Sequence, residues 1–311
     1  MKIGIDTSGG DFAPQEVITG VQLFLKNTTT PVQVVLIGNE SEVSPFLSGF
    51  DANQIQVVHA PQTIGMHEHP TRALREKTKS SISIGFQLLA AGETDAFISA
   101  GNTGAMLVSA LYSLKPVEGI LRPSISALLP KENGSTGLLL DVGLNSDCKP
   151  EQLNQFAIMG SVYAKSILEI EAPRVALLNI GEEEGKGNLL AQATYDLLKT
   201  NKQIIFVGNA EGRDILRDKA DIIICDGFTG NIILKFAESL FEIAGEKEIK
   251  HEYFDRFNFE NYGGTPVLGL SKPVIIGHGI SKNLAFKNML ALAQKMIETD
   301  VMQLMKNEVE A

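Results

Sequence analysis

The chain has 311 residues, 44% apolar and 21% charged, with a net charge of −10 at pH 7, enough to bury a large core as one big domain or as two closely joined lobes. With no basic tract and no tryptophan, nucleic acid is excluded as the main ligand, because phosphate-backbone binding needs clustered Lys and Arg. No apolar run approaches the roughly 20 residues that span a bilayer, and Lys2 to Ile5 begins as a strand rather than a leader, so the expected compartment is the cytosol.

Lys2 to Ile5 is the first strand; the turn of IDTSGGD (Ile5 to Asp11) follows, and a helix covers Glu16 to Lys26 after Pro14. Strands at Val32 to Ile37 and Ile55 to His59 precede a helix at Ser81 to Ala91, a strand at Ala96 to Ser99 and a helix at Ala105 to Tyr112. Next come a strand at Gly137 to Leu140, a helix at Glu151 to Leu168, a strand at Val175 to Leu178 and a helix at Leu189 to Lys199. Strands at Ile204 to Val207 and Ile222 to Cys225 lead to a helix at Ile232 to Ala244, and Val274 to Ile276 is the last strand. A final helix is predicted over Lys282 to Lys306, with Ala285, Met289, Leu292, Met296 and Leu304 on one face. Continuous rather than alternating apolar strands suit a sheet covered on both faces. Strand and helix alternate throughout, which predicts an α/β fold with a doubly wound, largely parallel sheet.

Six of the strands end in loops rich in Gly, Asn, Asp and Ser: SAGNTGA (Ser99 to Ala105), DVGLN (Asp141 to Asn145), NIGEEEGKGN (Asn179 to Asn188), GNAEGRD (Gly208 to Asp214), DGFTGN (Asp226 to Asn231) and GHGIS (Gly277 to Ser281). Such loops let backbone N–H groups and helix N-termini converge on an anion, and ligands of open α/β sheets sit beyond the carboxyl ends of the strands. The set points to a shared phosphate-handling site. NIGEEEGKGN fails the nucleotide pattern GxxxxGK[ST]: three residues separate Gly181 from Gly185, and Gly187 stands where a hydroxyl is needed. Neither GxGxxG nor a GxSxG elbow occurs at a strand end. Lys186 is a lone cation in a glycine loop, and His278 stands at a strand end. His67 and His69 flank Glu68 without further ligands, so no metal is expected. Cys148 and Cys225 are too few for a disulfide framework, and Cys225, behind three isoleucines, reads as a buried inert thiol. Arg72, Arg75, Lys77 and Lys79 form the one short basic stretch. Glu246 to Tyr262, rich in charge and aromatics, reads as a dimer contact, a ligand mouth or a surface excursion held by its own rings.

Taken in order, these loops resemble the bacterial phosphate acyltransferase family over nearly the whole chain. The matching stretches include Gly9, Gly10, Asp11 and Pro14, MHEHPTRALREKTKSS (Met66 to Ser81), SAGNTGA, Arg122 with Pro123, and DVGLNSDCKP into QFAIMG (Asp141 to Gly160). LLNIGEEEGKGN, FVGNAEGRD, CDGFTGN, YGGTPVLG (Tyr262 to Gly269) and HGIS complete them. Thr7 and Ser8 depart from the family's usual Ala and Met, and the stretch from Asn231 to Tyr262 is shorter and more acidic than in many members. The resemblance implies one catalytic domain over 1–311, an αβα sandwich like those of phosphotransacetylases and isopropylmalate dehydrogenases, and a homodimer. It implies acyl transfer from acyl-acyl carrier protein to inorganic phosphate, giving acyl phosphate for phospholipid synthesis. A membrane acyl phosphate:glycerol-3-phosphate acyltransferase would be the downstream partner, with peripheral membrane association a family trait. No cofactor is expected.

In that reaction a phosphate oxygen attacks a thioester carbonyl, which calls for a held phosphate and oxyanion donors rather than a strong acid or base. Residue type and motif position assign phosphate positioning to Asn102, Thr103, Asn231 and Lys186, with Arg75 or Lys77 as further cations. Gly104, Asn145 and Gly230 complete the substrate-binding set. His278 is the expected donor to the oxyanion or the leaving thiolate, and Asp226 orients the donors. The stretch from Arg72 to Lys79 is the candidate dock for the acidic carrier protein. The alternatives are a phosphotransacetylase-type enzyme using acyl-coenzyme A, a nicotinamide-dependent decarboxylating dehydrogenase, and a noncatalytic sensor of acyl carriers.

Overall fold

A computed structural model describes residues 1–310. The strands are β1 (Lys2–Asp6), β2 (Gln33–Gly38), β3 (Ile55–His59), β4 (Ala96–Ser99), β5 (Ser124–Pro130), β6 (Thr136–Leu140), β7 (Arg174–Leu178), β8 (Ile205–Ala210), β9 (Ile222–Ile224), β10 (Thr265–Leu268) and β11 (Val274–Ile276). The helices are α1 (Gln15–Asn27), α2 (Glu40–Val43), α3 (Pro70–Glu76), α4 (Ser81–Ala91), α5 (Thr103–Ser113) and α6 (Pro150–Ser166). They continue with α7 (Leu189–Thr200), α8 (Gly227–Glu246), α9 (Glu252–Asp255), α10 (Asn283–Glu298) and α11 (Val301–Glu310).

The chain forms two compact units. The first comprises Met1–Lys115 and Phe259–Glu298, the second Pro116–Asn258 and the segment from Thr299 on. In the first, the strand order is β3-β2-β1-β4-β11-β10, parallel except for β10, which runs antiparallel to β11. In the second the order is β5-β6-β9-β7-β8, parallel except for β5 against β6. Unbroken burial along β4, β9 and β11 follows from their continuous apolar sequence and places helices over both faces of each sheet. The fold is the expected α/β sandwich with a largely parallel sheet.

The two antiparallel strands are additions to the elements predicted from sequence. Ser124 and Ser126 alternate with Ile125 and Ala127 in β5, although all four are buried, and β10 carries Pro266, a residue that marks loops and edges more often than strands. The single final helix is corrected to two. It breaks at Asp300, whose φ of 48° is left-handed, a conformation Asp tolerates better than most residues. The break has a packing cause: α10 lies against α1 in the first unit, whereas α11 lies against α6 in the second. The buried face of α11 is Val301, Met302 and Met305, and Leu304 is exposed.

The aromatic stretch is divided, with its part up to Asn258 in the second unit and Phe259 to Tyr262 in the first. The rings of Tyr253 and Phe257 meet edge to face at 5.3 Å, Phe257 is buried, and Arg256 donates to the carbonyls of Lys131 and Ser135. No helix among the described residues is long and apolar enough to cross a membrane.

Candidate functional site

In the first unit the loops after β1, β4 and β11 are laced together at the carboxyl ends of three adjacent strands. The Asp6 carboxylate, wholly buried, accepts from Ser99 Oγ at 2.7 Å and from the Ser8 N–H at 2.9 Å. Burial pushes its pKa up, and hydrogen bonds from Ser81, Ser99 and the turn's amides oppose the rise. Gly277 N–H donates to Ser99 O at 2.9 Å, and Asp11 N–H to Gly279 O at 2.8 Å. Asn102, Thr103, Gly104 and His278 therefore lie on loops joined by direct bonds. His278, half-buried, stacks on Phe259 at 4.9 Å between ring centres.

Asn102 is not free to grip a ligand with its amide. Its Oδ1 caps α5 by accepting from Ala105 N–H at 2.9 Å, and its Nδ2 donates to the carbonyls of Gly65, Met66 and Glu68 at 3.0 to 3.1 Å. With the Ala105 N–H taken up by that cap, the donors this helix start offers an anion are the backbone N–H groups of Thr103 and Gly104. Gly104 lets that turn approach α3, since a Cβ there would stand 2.4 Å from Pro70 Cγ. Lys77 is also committed: its ammonium binds the Glu68 carboxylate and donates to Thr63 O at 2.8 Å, and that hydrogen bond holds the Glu68 pKa below its usual range. Arg75 lines a cleft of about 340 Å³ with Thr71, Thr78, Gln87 and Tyr112. Arg72 pairs with Glu76 at 2.9 Å on an exposed face. His67 and His69 are exposed.

In the second unit, the last residue of the β6 run turns inward. Asp141 is fully buried and accepts five hydrogen bonds, from the N–H groups of Ile125, Gly143, Leu144 and Asn145 and from Asn145 Nδ2, at 2.7 to 3.2 Å. Burial raises its pKa, while Asn145 and the backbone donors act against the rise. Asn145 also donates to Pro123 O at 2.8 Å, so its side chain shapes the loop. Asp226 caps α8, accepting from Thr229 N–H and Thr229 Oγ1, both at 2.9 Å. Gly230 is required by close approach: a Cβ would lie 1.8 Å from Asp141 O. Asn231 Nδ2 donates to Val142 O at 3.1 Å, which ties α8 to the loop after β6.

The loop after β7 meets the start of α8 across a cleft of about 440 Å³, where Gly187 and Asn188 line one side and Asp226 and Thr229 the other. Lys186 stands in that loop. Its side chain is half-exposed, and its ammonium lies 3.9 Å from the Glu183 carboxylate, too far for a close contact. A second hollow of about 710 Å³, lined by Ser146, Asp147, Cys148 and Phe228, shares Asn188, Leu190, Asp226 and Thr229 with the first. Cys225 is buried as expected. Burial and the nearby carboxylates of Asp141 and Asp226 push the Cys148 thiol up to about 12.

The structure thus brings Asn102, Thr103, Gly104 and His278 together in the first unit, and Asn145, Asp226, Gly230 and Asn231 together in the second. Arg75 and Lys77 sit on or beside α3, and Lys77 is linked to the first cluster through Glu68, whose backbone carbonyl accepts from Asn102. Sequence reasoning missed Asp6 and Asp141 as the carboxylates that hold the turns. Their signal was present, since each is the acid that ends an apolar run (IGID and LLLD).

A family model described as "Fatty acid synthesis protein" matches residues 1–304. The phosphate acyltransferase of Dictyoglomus turgidum is 43% identical over 323 residues, covering 97% of this chain and 95% of that protein. That of Thermoanaerobacterium thermosaccharolyticum is 40% identical over 329 residues, covering 100% and 97%. Among solved structures, a branched-chain phosphotransacylase from Enterococcus faecalis V583 matches with a TM-score of 0.65 at 15% identity, over 96% of this chain and 99% of that one. At that identity the likeness is one of fold.

Proposed function

The chain belongs to the phosphate acyltransferase family, and on that footing we propose that it transfers a fatty acyl group from acyl-acyl carrier protein to inorganic phosphate. A phosphate oxygen attacks the thioester carbonyl, and a C–O bond forms. The tetrahedral oxyanion then collapses with loss of the carrier's thiolate, which takes a proton from water. Phosphate is already an anion near neutral pH, its second pKa being about 6 to 7 by analogy with its esters, and a thiol of pKa about 8.5 is a competent leaving group. The protein's contribution is positioning and charge stabilisation, where one well-placed oxyanion donor is worth about 2.7 to 4 kcal/mol.

The observation that carries this reading is the meeting, across one cleft, of the glycine loop after β7 with the capped start of α8. The rim of that cleft, where Gly187 and Asn188 lead into α7 opposite the first turn of α8, is assigned to the phosphate, and Lys186 precedes Gly187 in the same loop. Lys186 is assigned to the phosphate, and Asp226, Gly230, Asn145 and Asn231 to fixing the loop geometry. Thr103 and Gly104 offer backbone donors, and His278 is assigned as donor to the oxyanion or the departing thiolate. The acyl phosphate is destined for a membrane acyl phosphate:glycerol-3-phosphate acyltransferase, and the enzyme acts from the cytosol as a homodimer.

Steady-state kinetics with long-chain acyl-acyl carrier protein and with the matching acyl-coenzyme A test the donor. A higher kcat/KM for the carrier-protein thioester is expected; preference for coenzyme A would make the chain a phosphotransacetylase-type enzyme. Lys186→Ala is expected to raise the KM for phosphate at least tenfold, and an unaltered phosphate KM removes Lys186 from the site.

A further inference from the structure

We propose that the apolar cleft of the second unit seats the acyl chain of the donor, and that Ala191 and Ile233 set the length of chain it takes. The proposal deepens the acyl-transfer reading and rests on it. A thioester with a long alkyl tail needs a dry place for that tail beside the carbonyl under attack, because each methylene withdrawn from water adds to binding. The cleft's volume of about 440 Å³ falls within the roughly 300 to 1,000 Å³ of small-molecule sites.

Its walls are apolar: Leu153, Leu177, Leu178, Leu190, Ile215 and Ile233. The polar side chains on its rim are already engaged within the protein. Asn188 caps α7 through Ala191 N–H at 2.8 Å, and Asp226 is held by Thr229. Asn179 accepts from Ile180 N–H at 2.8 Å and donates to Lys186 O and Asn209 Oδ1, each at 3.1 Å. A polar ligand would find few partners in such walls, whereas an alkyl chain needs none.

Two further observations set the direction of the chain. The cleft and the more polar hollow beside it share Asn188, Leu190, Asp226 and Thr229. A thioester at that shared rim has an apolar recess on one side and the Ser146 to Cys148 turn, suited to a pantetheine arm, on the other. Ile180, which lines the cleft, and Leu189, which lines the adjoining hollow, are 81% and 86% exposed. They present apolar surface to an incoming chain. Ala191 is the small residue on the α7 wall, and Ile233 stands on α8. Enlarging either shortens the recess.

Ala191→Phe and Ile233→Phe test this, with kcat/KM measured for hexadecanoyl and butanoyl thioesters of the carrier protein. The expected result is a hexadecanoyl-to-butanoyl ratio at least tenfold below that of the parent in both variants. A ratio within twofold of the parent's in both overturns the proposal while the parent's own turnover keeps the acyl-transfer reading intact. A parent inactive on both thioesters overturns the two together. An unchanged ratio with an altered sedimentation coefficient would make the cleft an interface between copies of the chain. Should the variants not fold, a hexadecyl thioether of pantetheine bearing a terminal diazirine is photolysed with the unmodified protein. Labels on peptides spanning Leu177 to Ala191 or Thr229 to Ile233 support the cleft, and labels confined to other peptides reject it.

Discussion

Gly230 shows how much of the site depends on one missing atom. Because a Cβ would fall 1.8 Å from Asp141 O, Gly230→Ala must push the first turn of α8 away from the loop after β6. Such overpacking costs about 1 to 3 kcal/mol, so a lower melting temperature with reduced turnover is expected, and a variant that melts with the parent contradicts the packing account. Asn102 makes a second case. Its amide is spent on three carbonyls and its oxygen on a helix cap, so Asn102→Ala leaves buried groups unpaired at about 1 to 3 kcal/mol. Urea melts are expected to register that loss, with a larger effect on stability than on the phosphate KM; a stable variant with a raised KM would return the side chain to the phosphate. Residue types at strand ends were enough to single out Asp226, Gly230 and Asn145 from sequence. They could not reveal whether such groups touch a ligand or hold their own loop, because a carboxylate or amide that ends an apolar run looks the same in both roles. Asp6 and Asp141 were passed over for that reason.

At the scale of elements, the amino ends of β7 and β9 are fastened by charge. Lys131, 1% exposed, lies 2.9 Å from Asp221, which also receives Arg174 Nε at 3.0 Å. Burial alone would raise the Asp221 pKa, but hydrogen bonds from Arg174 and from Lys131 override it and hold the carboxyl well below its usual range. A depressed carboxylate stabilises the fold above its unfolded pKa of about 3.9, and that stability is lost as the pH falls through the lower folded value. Asp221→Asn is expected to lose about 3 to 5 kcal/mol at pH 7, as breaking a buried pair does, and to depend less on pH between 4 and 2 than the parent does. Urea melts at both ends of that range check it; a parallel pH dependence in parent and variant contradicts the linkage. The parallel strands were legible because each is an apolar run covered on both faces. β5 and β10 were not, since alternating serines and a proline imitate loop chemistry even where burial is complete. The break at Asp300 escaped notice because the apolar period continues through it, while the two halves serve different cores.

For the whole molecule, the donor proposed for this chain of net charge −10 is itself an acidic carrier protein, and the expected dock is the basic stretch of α3 and its flank. Arg72 and Lys79 are exposed there, while Lys77 is held by Glu68. Reversing Arg72 and Lys79 to Glu is expected to raise the KM for acyl-acyl carrier protein several-fold at low salt. The effect should shrink near physiological ionic strength, where screening sets in over about 8 Å; an equal KM at low salt would exclude this surface. The central claim is chemical: phosphate itself is the nucleophile. Incubating the enzyme with long-chain acyl-acyl carrier protein and radiolabelled phosphate tests it most directly, with released thiol and labelled acyl phosphate measured in one sample. The account predicts one labelled acyl phosphate for each thiol set free and no thiol release without phosphate; thiol released with free fatty acid, and no label in the acyl product, would contradict it.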